Sequence, residues 1–103
     1  MLNLEMNNPT FVNVKKQARH HWVELLIAAG IDAKALRNVH GPCPGCGGKD
    51  RFRFDDHDGN GTFICSQGNG DNLSGDGFEL LQHVGIVKSP REALELVAKA
   101  LDI

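Results

Sequence analysis

Three cysteines, Cys43, Cys46 and Cys65, are the residues whose type and spacing suit them to chemistry. They all fall within HGPCPGCGGKDRFRFDDHDGNGTFIC, residues 40–65. Cys43-Pro-Gly-Cys46 is a Cys-x-x-Cys knuckle, in which small intervening residues let the backbone curl until both sulfurs face one ion. Cys65 follows after eighteen residues and offers a third thiolate, a zinc-ribbon spacing. Structural zinc takes four ligands. The second knuckle is incomplete, because Gly68 stands three positions after Cys65. His40, three residues before Cys43, is the first candidate for the fourth ligand; Asp71, Asp76, His57 and water are the alternatives.

A redox role for Cys43 and Cys46 is the competing chemistry. In redox proteins of the thioredoxin type, Cys-x-x-Cys opens a helix. Pro42, Pro44, Gly45, Gly47 and Gly48 oppose a helix at this point. Asp56-x-Asp58-x-Asn60-Gly61 begins like a calcium loop, but its twelfth position is Gln67 rather than glutamate. It reads instead as a hairpin turn. There is no phosphate-binding glycine loop and no Ser/His/Asp arrangement, so no catalytic residue is assigned.

The elements that must position the cysteines follow from periodicity. Asp50 to Asp55 alternates, with Phe52 and Phe54 on one side and Arg51 and Arg53 on the other, which predicts a strand. Residues 62–65 form a second strand, and the hairpin carries Cys65 back to the knuckle. Residues 66–77 read as a glycine-rich loop. Residues 1–13 read as a flexible N-terminus, and residues 14–37 as a helical segment. In it, Val14, Ala18, Trp22, Leu25, Leu26 and Ala29 make one stripe ending at a Gly30 cap, and Asp32 caps a further short turn. Residues 38–85 are the ribbon with a short helix capped by Asp76; residues 86–103 hold a helix opened by the Ser89-Pro90-Arg91-Glu92 capping box. The expected fold is a small α+β domain: a zinc ribbon flanked by an N-terminal helix and two C-terminal helices.

With 103 residues, one tryptophan, five phenylalanines and twelve glycines, the chain builds a thin core that a structural metal would reinforce. The net charge of −2 is unevenly spread. Residues 34–53 carry Lys34, Arg37, Lys49, Arg51 and Arg53 against Asp50 alone, whereas residues 54–79 carry acids without a Lys or Arg. Lys49, Arg51 and Arg53 are therefore the candidate contacts to phosphates and bases of a single nucleic-acid strand. The sequence shows neither a signal peptide nor a long apolar run, so a reducing, cytoplasmic setting without a membrane is expected.

HGPCPGCGGKDRFRF, then GTFIC, then GDGFELL resemble the zinc-binding domain of phage- and plasmid-type DNA primases, particularly the primase–helicases of satellite phages. GDGFELLQHVGI with SPREALELVAKALDI is similar to the region after the zinc site in bacterial replicative primases, extending the resemblance over residues 38–103. The resemblance implies a Zn2+ ribbon serving a toprim RNA-polymerase domain, in the same longer chain or in trans, alongside a helicase partner. Its role would be to recognise an initiation site on single-stranded DNA template and support primer synthesis. Cys43, Cys46 and Cys65 would be ligands, with Lys49, Arg51 and Arg53 near the template. The family normally has a fourth cysteine where Gly68 stands, which leaves three readings: His40 takes over, the following loop brings in another ligand, or the metal site is degraded and weaker. The alternative function is a zinc-stapled adaptor that binds another replication protein through helices 14–29 and 90–101.

Overall fold

A computed structural model describes residues 10–66 and 73–103. Four antiparallel strands, β1 (Gly41–Cys43), β2 (Gly47–Phe54), β3 (Phe63–Cys65) and β4 (Leu73–Gly75), form one sheet in sequential order. Four α-helices accompany it: α1 (Phe11–Ala18), α2 (Trp22–Ala28), α3 (Gly77–His83) and α4 (Pro90–Ala100). The small α+β architecture agrees with expectation. Among the described residues, no helix is long and apolar enough to cross a membrane.

The alternation along β2 sets the sheet's inner face. Phe52 and Phe54 are buried, while Arg51 and Arg53 are half-buried on the other side. Phe52 lies opposite Cys65 and Phe54 opposite Phe63, so the same face of β3 enters the core. Phe52 and Phe63 stack with ring centroids 5.9 Å apart. The turn between β2 and β3 is held by its own acids: Gly61 N–H donates to Asp56 Oδ1 at 2.7 Å, and Thr62 Oγ1 to Asp55 Oδ1 at 2.6 Å.

The N-terminal helical stripe is interrupted, a correction to the single helix expected over residues 14–29. His20 takes a φ of 71°, and its N–H donates to the Gly59 carbonyl at 2.8 Å. Arg19 Nε donates to the Asp58 carbonyl at 2.9 Å. The hairpin turn thus pins the chain between α1 and α2, an interaction invisible to helical periodicity. The expected flexible stretch is also shorter on its C-terminal side: Thr10 caps α1, which already includes residues 11–13. Residues 1–9, on which the rest of that expectation falls, lie outside the described residues. Likewise, β4 occupies part of the stretch read as a loop, and residues 67–72, including Gly68 and Asp71, lie outside the described residues.

The remaining caps follow their sequence signals. Ile31 N–H closes on the Leu26 carbonyl at 3.0 Å after Gly30, whose φ is 113°. Asp32 caps a 3-10 turn over Ala33–Ala35, and Ser89 Oγ accepts from Glu92 N–H at 3.1 Å to start α4. Trp22, 1% exposed, is central to the core and meets the Phe78 ring edge-on at 4.9 Å. α1 packs on α4, α2 on α3 and α4, and α3 on both α4 and β4. The helical layer is thereby tied to the sheet, and the C-terminal end of α3 is brought to the knuckle.

Candidate metal centre

Cys43 ends β1, Cys46 precedes β2, and Cys65 ends β3, so the sheet alone assembles three thiols. The fourth group comes from the end of α3. The ligand atoms of Cys43, Cys46, Cys65 and His83 all lie within 4.8 Å of one another. Cys43 Sγ is 3.3 Å and Cys46 Sγ 3.9 Å from His83 Nε2; Cys46 Sγ is 3.4 Å from Cys65 Sγ. With Zn–S near 2.3 Å and Zn–N near 2.0–2.1 Å, a tetrahedral ion needs edges of about 3.5–3.8 Å. The donor set and its spacing fit zinc. A disulfide would need sulfurs about 2.05 Å apart, and none of the three cysteines is in one.

The knuckle's backbone supports this arrangement. The N–H groups of Gly45 and Cys46 donate to Cys43 Sγ at 3.3 and 3.4 Å, aiming positive dipoles at a sulfur that would carry charge when metallated. Cys43 and Cys65 are buried, whereas Cys46 is exposed. Desolvation pushes the Cys46 thiol up, but hydrogen bonding with Cys65, Arg51 and Cys43, with the Arg51 charge added, outweighs it and leaves the thiol below its ordinary value. His83 stacks on Phe63 at 5.7 Å, its plane 22° from the phenylalanine ring. Desolvation holds its pKa below the usual imidazole range, favouring the neutral form that ligates metal.

The structure does not bring His40 to this group. His40 is exposed beside a groove of about 430 Å³, near Lys34, Arg37 and Val39. β1 begins one residue later and runs extended to Cys43. At about 3.3 Å per residue, three extended steps separate their backbones by about 10 Å. The other described alternatives are engaged elsewhere. Asp76 Oδ1 caps α3 by accepting from Glu79 N–H at 3.1 Å, and His57 Nε2 lies 3.3 Å from Asp58.

His83 was missed in the sequence because its distance from Cys43 is 40 residues. The available signal was its place on α3, three residues after the fully buried Leu80 and thus on that helical face. Lys49 is exposed at the start of the basic strip, while Arg51 and Arg53 leave β2 opposite the buried phenylalanines.

A thiol-rich knuckle carried on a β-hairpin and closed by a further ligand defines a zinc ribbon. Residues 38–78 match the family model for the zinc-binding domain of primase-helicase. That segment contains all three cysteines and ends five residues before His83. No solved structure matches the chain.

Proposed function

We propose that the chain is the zinc-ribbon module of a DNA primase. In this reading it binds single-stranded template and supports RNA primer synthesis by a toprim polymerase domain, in the same longer chain or in trans. The observation carrying the reading is the Cys43, Cys46, Cys65 and His83 cluster within and beside a segment matching primase-helicase zinc domains. Zinc, when bound, supplies a crosslink among the knuckle, β3 and α3. The chain's own contribution is to hold β2 firmly between β1 and β3, with its outer face free of the core. Its Phe52 and Phe54 anchor the strand in the core, so Lys49, Arg51 and Arg53 present positive charge from a fixed backbone. Phosphates of an extended nucleic-acid strand would meet that face.

Fluorescence anisotropy with a labelled single-stranded oligonucleotide tests the proposal. Binding should weaken steeply with salt, with log K falling by about 0.7 per decade of salt for each phosphate contact. Lys49→Ala and Arg53→Ala should each reduce affinity and flatten that slope, and Lys49→Ala, at an exposed position, should leave the melting temperature unchanged. Binding that is absent at low salt, or insensitive to both substitutions, overturns the template-binding role.

The adaptor alternative draws less support. Val14 and Ala18 of α1, and Ala93, Leu94 and Val97 of α4, are buried in the domain's own core. Those side chains are therefore taken up by the domain itself, while Val12, Val23 and Ile27 of α1 and α2 stay exposed.

A further inference from the structure

Of the three basic side chains on β2, Arg51 is drawn to the thiol cluster. Its Nη1 donates to Cys46 Sγ at 3.8 Å. To get there the side chain lies directly over Gly48. A Cβ at Gly48 would stand 2.0 Å from Arg51 Nε and 2.6 Å from Cζ. Gly48 also has a φ of 83°, which L side chains rarely adopt. The same glycine therefore makes the turn and clears the path for the guanidinium. Arg53, two residues further on, instead has a buried Nε with no hydrogen-bond partner among the described residues.

Charge explains why an arginine should stand there. Three thiolates and a neutral imidazole around a divalent ion leave an excess negative charge. Cys46 is the exposed sulfur of the set. We propose that Arg51 is a positioning residue of the metal centre, held over Gly48 so that its guanidinium caps the Cys46 sulfur and offsets the excess charge of the loaded site. The inference rests on reading Cys43, Cys46, Cys65 and His83 as the ligands. It gives Arg51 a role at the metal centre in addition to any template contact made by the basic strip.

Zinc affinity, measured by competition with a chromogenic chelator at low and high salt, tests this. Arg51→Ala should lose about tenfold in affinity, the lower end of the effect of removing an outer partner of a metal ligand. The loss should shrink at high salt, because the lost term is a charge interaction open to screening. Arg51→Lys should recover part of it, and Arg51→Gln, which keeps donors without the charge, should not. Gly48→Ala should reproduce the loss with the arginine still present. Arg91→Ala, on α4 and paired with Glu95 at 3.2 Å, should match the wild type.

Arg51→Ala affinity within about twofold of wild type overturns the proposal. So does a loss that is independent of salt and unrelieved by lysine, which would mark a packing role. Wild-type protein that takes up no zinc would instead overturn the ligand assignment itself.

Discussion

The carbonyl oxygen of His83 lies against Gly45, where a Cβ would stand only 2.8 Å from it and 3.0 Å from the Cα of Val84. The knuckle and the end of α3 therefore meet backbone to backbone. That contact sets how closely the imidazole approaches the sulfurs, because neither partner is a side chain that can swing aside.

Gly45→Ala should consequently separate His83 from the knuckle. Overpacking of this kind costs about 1–3 kcal/mol, and here it should appear as weaker zinc binding more than as general unfolding. Chelator competition beside a thermal melt measures both, and an alanine variant with wild-type zinc affinity would contradict the contact.

The two histidines make a direct comparison. His83→Ala removes the imidazole 3.3 Å from Cys43 Sγ, and its zinc affinity should fall at least as far as the 10–100-fold typical of lost outer-shell partners. His40→Ala should bind zinc as the wild type does. Cobalt substitution gives an independent readout, since loss of the nitrogen donor alters the visible spectrum. The opposite ranking would restore His40 as the ligand.

Acid should destabilise the metal-free protein through His83. Desolvation lowers its pKa in the fold from the ordinary 6.5. As pH falls, the unfolded chain binds this proton before the folded one does. The stability tied to the neutral ring is thus complete above the unfolded value and is lost as pH drops through the lower folded value. Melting temperatures measured downward from neutral pH should decline below about 6.5, and His83→Phe should lessen the decline. An unchanged pH dependence in that variant would remove His83 as its source.

Trp22 should be the most costly core position to truncate. It is 1% exposed, touches Phe78 edge-on, and fits between Gly61 and Gly77, where added Cβ atoms would come within 2.6 and 2.2 Å of its ring. Trp22→Ala should cost about 3–5 kcal/mol, a large part of the stability of a small domain. Chemical denaturation of the zinc-loaded protein measures it; a loss below about 1 kcal/mol would place the centre of the core elsewhere.

Much of the local structure was legible because its causes are local. Ser89 and Glu92 are three residues apart and cap α4 with one hydrogen bond of 3.1 Å. Phe52 and Phe54 alternate with Arg51 and Arg53, and that period alone orients β2. The break at His20 was not legible. It depends on Gly59, 39 positions away, offering a carbonyl to the His20 N–H.

The sequence by itself determined the knuckle, the hairpin that returns Cys65, and the residue types suited to zinc, since each depends on neighbours within a turn or a strand pair. Only the tertiary structure decided that His83 joins the sulfurs and His40 does not. An extended β1 carries His40 away, while the packing of α3 against α2, α4 and β4 brings a ring distant in the chain to within 3.3 Å of Cys43. Which side chains gather at this point is a consequence of how a helix docks on a sheet, and docking is set by the buried faces of both together.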